Sequence, residues 1–279
     1  MSLTEQLNQG EQKVQGIEYV DLYKVYQGPI PLTIPAIKQD RRTIADGNYI
    51  LQKRLRELQL QSEQKPWCYN YLDTPDLCAI LDDLVKLQPN SPFLTGIQGI
   101  IDNQIAVSAD VLASGVKDMQ LFPVTESATV TYLKDGEENQ HPVNNVILLP
   151  YNGISMALTP EQFQAINAEE FKRENVIHNR GMKQEEIVKD GRVIHPVWKI
   201  YSPEIVIPYV NEVFKHNKGY NANMGFWLPS QSDQAQLRAL YLDGLGNRSR
   251  LNGYGGLGDD YAQLVGVVEN VAEGDAPKI

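Results

Sequence analysis

The apolar residues of this chain follow two different periods, which predict both strands and helices. Residues 17–27 (IEYVDLYKVYQ) alternate β-branched and aromatic residues with polar ones, a pattern typical of a strand. Residues 46–65 place leucine and isoleucine at helical spacing among strong helix formers, and Pro66 follows as a stop. Residues 73–89 (DTPDLCAILDDLVKLQP) predict a second helix, with Thr74 as its N-cap.

The second half of the chain mixes the same two patterns. Residues 129–133 and 146–149 predict a β-hairpin around a DGEEN turn. Helices are predicted after the caps Thr159 and Ser202, each of which is followed by proline at the first helical position. The elements do not follow the regular rhythm of a parallel doubly wound sheet. We therefore predict the α+β class, with mixed helices and short antiparallel strands.

Three prolines lie close together in residues 28–35 (GPIPLTIP). Each proline fixes φ and removes a backbone donor, so this segment is predicted to be an extended arm or linker. It divides the chain into an N-terminal arm, residues 1–45, with a strand and a proline-rich linker, and a globular α+β domain, residues 46–279.

Charge and hydropathy narrow the choice of partners. The chain has 279 residues and a net charge of −10, with a pI of about 4.9. This charge repels phosphate backbones, so no nucleic-acid partner is expected. No apolar run approaches the ~20 residues of a spanning helix. The N-terminal residues lack the layout of a signal peptide, so a cytoplasmic or particle-associated location is expected.

Few residues offer recognisable catalytic chemistry. Cys68 and Cys78 are expected to be buried thiols, although a bridge between them stays open. His178 and His195, with Glu185, could form a metal-dependent hydrolase site, but no HExxH or GxSxG pattern is present. No cofactor is predicted, and whether a metal is bound stays unknown.

The C-terminal stretch LYLDGLGNRSRLNGYGGLGDDYAQLVGV combines glycine with polar and tyrosine residues. Strands are predicted at residues 237–244 and 261–269, with six glycines from 244 to 258 that allow positive φ. Leu245, Leu251 and Leu257 recur every six positions and are expected to anchor the loop on the core. The residues between them that are expected to face outward are Asn247, Arg248, Ser249, Arg250, Asn252, Tyr254, Asp259 and Asp260. Side chains of these types form adaptable binding loops.

The longer segment GFWLPSQSDQAQLRALYLDGLGNRSRLNGYGGLGDDYAQLVGV resembles the C-terminal region of variable proteins of diversity-generating retroelements. Those proteins end in a C-type-lectin-like or formylglycine-generating-enzyme-like domain, so the resemblance implies such a fold at the C-terminus. The tryptophan-rich GGSW-type core of that fold is absent from this chain. The resemblance places ligand-binding positions at Tyr241, Asp243, Asn247, Ser249, Asn252, Tyr254, Asp259 and Tyr261.

These observations predict a non-enzymatic, soluble binding protein. Its C-terminal Gly/Asn/Tyr-rich surface would meet a protein or glycan partner. Two alternatives stay open, a structural subunit of a particle or filament built through residues 1–45 and the metal-dependent hydrolase. Assembly into a homo-oligomer also stays open.

Overall fold

A computed structural model describes residues 23–60, 65–176, 181–216, 224–245 and 250–268. In the described residues, helices and antiparallel strands alternate, which confirms the α+β class. The α-helices are α1 (Ile30–Gln39), α2 (Gly47–Gln59), α3 (Pro66–Tyr69), α4 (Pro92–Thr95), α5 (Ala109–Leu112), α6 (Pro160–Ala165), α7 (Arg173–Val176), α8 (Gln184–Ile187) and α9 (Pro203–His216). Two 3₁₀ turns occupy Met119–Leu121 and Pro196–Ile200.

The strands form three sheets and a closed four-stranded barrel within the described part of the chain. The strands are β1 (Tyr23–Gln27), β2 (Thr43–Ile44), β3 (Leu72–Leu81), β4 (Leu84–Gln88), β5 (Ile97–Ile101), β6 (Gln104–Ser108), β7 (Val124–Lys134), β8 (Glu137–Pro150), β9 (Met156–Leu158), β10 (Glu170–Lys172), β11 (Val188–Lys189), β12 (Arg192–Val193), β13 (Phe226–Trp227), β14 (Ala235–Leu242), β15 (Leu251–Asn252) and β16 (Gln263–Val267). The largest sheet has the order β10-β4-β3-β14-β15-β13, with β9 also paired to β14. A second sheet has the order β1-β16-β2, a third pairs β11 with β12, and the barrel is β5-β6-β8-β7.

Strand β3 lies at the centre of the molecule, and all ten of its residues are buried. Leu72, Cys78 and Ile80 belong to one apolar core, whereas Leu77 and Ala79 belong to a second core. The predicted helix at residues 73–89 is therefore wrong. A strand that is buried on both faces has no polar alternation, and its continuous apolar run cannot be told from a buried helix by period.

The turn between β3 and β4 consists of two adjacent aspartates, Asp82 and Asp83. Asp82 adopts φ of 50°, a conformation that aspartate tolerates better than most residues. Thr74, which was predicted to cap a helix, donates its hydroxyl to the Leu240 carbonyl oxygen at 2.9 Å and so links β3 to β14.

The expectation of an extended linker at residues 28–35 is also wrong, because α1 begins at Ile30. Pro31 lies in the first turn, where a backbone N–H has no partner within the helix, and Pro35 removes one later bond. Ile30, Ile34 and Ile37 are buried in the second core, which offsets that loss. Strand β1, which precedes this segment, pairs along β16 and so supports the C-terminal strand.

Several predicted elements are confirmed. Helix α2 starts after Asp46, whose carboxylate accepts the Tyr49 N–H at 2.8 Å. Thr159 caps α6 in a capping box with Gln162; this helix ends at Ala165, and residues 170–172 form β10. The β7–β8 hairpin turns at Asp135 and Gly136, both with positive φ.

Helix α9 forms as predicted from Pro203 and packs against α2, despite an internal Pro208. Cys68 and Cys78 are free and buried, which confirms the expectation of buried thiols. Burial raises the pKa of the Cys78 thiol to about 12. Among the helices of the described residues, none combines the length and the apolar character needed to cross a membrane.

Candidate functional site

The loop that follows β14 is anchored at three leucines, as predicted. Leu245, Leu251 and Leu257 are buried. Their backbone N–H groups donate to three separate segments, at the carbonyl oxygens of Cys68, Gly225 and Ile154 respectively. Each leucine therefore fixes the loop by its side chain and by its backbone.

Part of the loop faces inward, contrary to expectation. Arg250 is buried, where its Nε lies 2.8 Å from a carboxylate oxygen of Asp243 and its guanidinium stacks 4.3 Å from the centre of the Trp227 ring. Asn252 is 3% exposed, and its side-chain Oδ1 accepts the Tyr254 N–H at 2.8 Å. The prediction that Arg250 and Asn252 face outward is wrong, because residues 251–252 form β15 between β14 and β13 in the largest sheet.

Glycine serves this loop by its small size. None of the described glycines from 244 to 258 has positive φ, so the conformational reason expected from the sequence does not apply. A Cβ on Gly258 would overlap the carbonyl oxygen of Gly153 and the hydroxyl of Tyr151. A Cβ on Gly244 would overlap the carbonyl oxygen of Tyr69. Gly244 and Gly258 therefore allow close contact between the loop and neighbouring backbone.

Four exposed tyrosines come from two parts of the chain that meet at this loop. Tyr254 is 60% exposed and Tyr261 70% exposed, both on the loop. Tyr69, at the end of α3, is 61% exposed, and Tyr71 precedes β3. The half-buried Tyr241 lies between the two parts, with its ring 6.3 Å from that of Tyr71. We call these five side chains, together with exposed Ile154, the tyrosine surface.

Hydrogen bonds and close contacts hold the members of the tyrosine surface together. The Tyr71 hydroxyl donates to the carbonyl oxygen of Tyr261. The Asp259 carboxylate accepts the Tyr261 N–H at 2.8 Å. Ile154, in the turn after β8, contacts the loop at Gly256 and accepts the Leu257 N–H at 2.7 Å. The barrel thus places its last strand beside the loop.

Beneath the tyrosine surface, one buried arginine joins its two halves. Arg54 of α2 donates to the carbonyl oxygens of Trp67 at 2.8 Å and Asn70 at 2.8 Å, on the segment that carries Tyr69. It also donates to the carbonyl oxygens of Leu242 at 3.0 Å and Asp243 at 2.7 Å, at the end of β14. All four bonds involve a charged donor.

Negatively charged groups border the tyrosine surface. Asp259 and Asp260 are exposed, and no ion pair joins either of them to a described residue. Asp73 lies buried at the base, where it accepts the Gln263 N–H at 2.7 Å. Burial, reinforced by the charge of Asp259, raises the pKa of Asp73 to about 7. Burial and the charges of Asp73 and Asp259 likewise raise the pKa of the Tyr71 hydroxyl.

The eight ligand-binding positions implied by the resemblance have different surroundings. Tyr254, Asp259 and Tyr261 are exposed, Tyr241 and Asp243 are half-buried, and Asn252 is buried; Asn247 and Ser249 lie outside the described residues. Sequence reasoning missed Tyr69 and Tyr71, which flank Asn70 in the segment WCYNYLD. The density of aromatic residues in that segment is the signal in the sequence that indicates them.

The residues considered for a hydrolase do not form a described site. His195 is buried, Glu185 is exposed on α8, and His178 lies outside the described residues. Within the part of the chain that the structure describes, no three His, Cys, Asp or Glu side chains are placed to hold a metal ion.

No protein-family model matches the chain, and no curated protein matches it. Among solved structures, the chain is similar to one described as "Accommodation of massive sequence variation in Nanoarchaeota by the C-type lectin fold", with 16% sequence identity and a TM-score of 0.49. The match covers 88% of this chain and 96% of that chain. The fold named there is the C-type lectin fold.

Proposed function

We propose that this chain is a binding protein that meets a protein or glycan partner at the tyrosine surface. One observation carries the proposal. The four exposed tyrosines of the described residues, Tyr69, Tyr71, Tyr254 and Tyr261, lie on two segments that are far apart in the sequence and that meet where the Tyr71 hydroxyl donates to the Tyr261 carbonyl oxygen. Exposed apolar side chains gathered on one face are typical of interaction sites.

Tyrosine suits this role because its ring provides a large contact area, and only two side-chain torsions lose freedom on binding. Its hydroxyl can also bond to a polar partner group. Buried aromatic anchors commonly supply most of the affinity of an interface.

The backbone that carries the tyrosines is fixed before any partner arrives. Asn252 and Asp259 accept the N–H groups of Tyr254 and Tyr261, and Arg54 holds the segments that carry Tyr69 and Tyr241. A surface that is already ordered loses less conformational entropy on binding. This favours recognition over a purely structural use of the loop.

The proposal can be tested by selection and substitution together. A displayed random-peptide library and a glycan panel would be screened against the full chain, and each enriched ligand titrated against Tyr254→Ala and Tyr261→Ala. We expect affinity to fall by about tenfold or more in each variant. Val124→Ala, which removes an exposed apolar side chain on the barrel, is the control and should bind like the unmodified chain.

If nothing is enriched, or if the tyrosine variants bind every ligand as well as the unmodified chain, the proposal is wrong. Near-ultraviolet circular dichroism and melting temperature would verify that each variant is folded.

A further inference from the structure

Resting on that proposed function, we infer that the partner presents a positively charged protein segment, bearing lysine or arginine, to the tyrosine surface. The surface joins exposed aromatic rings to exposed carboxylates, and both groups attract cations. This combination specifies the chemical class of the ligand more narrowly than the tyrosines alone do.

The two carboxylates that border the tyrosine surface are not neutralised by an ion pair with any described residue. Asp259 and Asp260 are adjacent, exposed, and outside the ion pairs of the described residues. The nearby arginines are already engaged within the protein. Arg250 contacts Asp243 and Trp227, and Arg238 donates to the Tyr254 carbonyl oxygen at 3.0 Å. Arg238 keeps its positive charge, so among the described residues a ligand meets two exposed carboxylates against one guanidinium without an ion-pair partner.

The same two group types already bind a cation elsewhere in this chain. The Lys24 ammonium lies 4.8 Å from the centre of the Tyr26 ring and pairs with the Asp40 carboxylate. Ring faces and carboxylates act together there, because the ring quadrupole and the negative charge attract the same ammonium group. Tyr261 and its neighbour Asp260 present those groups outward.

Other occupants fit the charge less well. Two copies of this chain meeting at this face would bring four exposed carboxylates, Asp259 and Asp260 of each copy, into one interface. The net charge of −10 adds to that repulsion at longer range. Nucleic acid is repelled by the same carboxylates. A basic protein segment is attracted by both the aspartates and the tyrosines.

The test uses the full chain and three synthetic probes of equal length: an arginine-glycine-serine peptide, its glutamate counterpart, and an uncharged oligosaccharide. Affinity would be measured by interferometry for the unmodified chain, for D259N/D260N and for Y254A/Y261A. D82N/D83N is a matched control, because it neutralises two adjacent exposed aspartates in the turn at the opposite end of β3.

We expect the arginine peptide to bind and the glutamate peptide not to bind. D259N/D260N should weaken arginine-peptide binding by about tenfold, and D82N/D83N should change it less than about twofold. Raising NaCl from about 50 mM to about 500 mM should weaken binding by the unmodified chain more than binding by D259N/D260N.

The remaining outcomes separate this inference from the proposed function. Tyrosine-dependent binding of the oligosaccharide or the glutamate peptide, without the arginine peptide, overturns the inference and leaves the proposed function standing. Tyrosine-dependent dimerisation in sedimentation, with no probe bound, replaces the basic segment by a second copy. No binding of any probe, together with no ligand enriched in the library and glycan screen, overturns both.

Discussion

Replacing Arg54 by methionine tests how the two halves of the tyrosine surface are held together. Arg54 is fully buried, and its guanidinium serves four backbone carbonyl oxygens at 2.7–3.0 Å. Methionine fills similar space but donates no hydrogen bond. Leaving a buried acceptor unpaired costs about 1 kcal/mol or more, so four such acceptors predict a loss of about 4 kcal/mol in the free energy of unfolding.

Urea denaturation followed by circular dichroism measures this loss. Arg54→Lys keeps the charge, but its three donors radiate from one nitrogen and cannot reach four carbonyls, so we expect a loss of about half that size. Arg56→Met, on the exposed face of the same helix, is the control and should change stability by less than about 0.5 kcal/mol. If Arg54→Met lowers the free energy of unfolding by less than about 1 kcal/mol, Arg54 does not hold the two halves of the tyrosine surface together.

Three further predictions concern the support of the site and the fold. In Asp73→Asn, the free energy of unfolding gained over the unmodified chain should grow as pH rises from about 4 to about 7 and then level off at about 4 kcal/mol. Through that window the unfolded chain loses the Asp73 proton while the folded chain keeps it, and above it the folded chain must bury a charge. Urea denaturation at stepped pH measures this gain, and a pH-independent difference contradicts the prediction. Gly258→Ala should destabilise by about 1–3 kcal/mol through overlap with backbone, whereas Gly256→Ala, whose nearest atoms lie 3.6–3.8 Å away, should be tolerated; equal melting temperatures for the two variants would contradict this reading. Thr159→Ala should lower the free energy of unfolding by about 1 kcal/mol through loss of the capping box, and an unchanged urea midpoint would count against it.

The sequence predicted helix starts and turns correctly where a few neighbouring residues determine them. Asp46 and Thr159 begin helices because a side-chain oxygen satisfies a nearby N–H group, and this depends on a few residues only. The β7–β8 hairpin was predictable because Asp135 and Gly136 favour the turn. The spacing of the three leucines likewise predicted where the C-terminal loop is anchored.

The elements that the sequence did not predict are those whose structure depends on burial against other parts of the chain. Strand β3 is covered on both faces by different cores, which erases the alternation that identifies a strand. Helix α1 tolerates Pro35 because the isoleucines around it are fully enclosed. Asn252 turns inward because two other strands, β13 and β14, pair on either side of it.

The tyrosine surface itself was only half predictable. Tyr254 and Tyr261 belong to the glycine-rich loop, whose composition indicated a binding role. Tyr69 and Tyr71 join them through contacts with residues more than a hundred positions away, such as the bond from the Tyr71 hydroxyl to the Tyr261 carbonyl oxygen. No pattern within one segment indicates such an arrangement.

Chemical-shift mapping on the isotopically labelled full chain, titrated with the ligand that binds it most tightly, tests the central claim most directly. The account predicts that the largest shifts cluster at the amides of Tyr69, Tyr71, Tyr254 and Tyr261 and at their immediate neighbours. Shifts that cluster elsewhere, for example along α9, while those four amides stay unchanged, would contradict it.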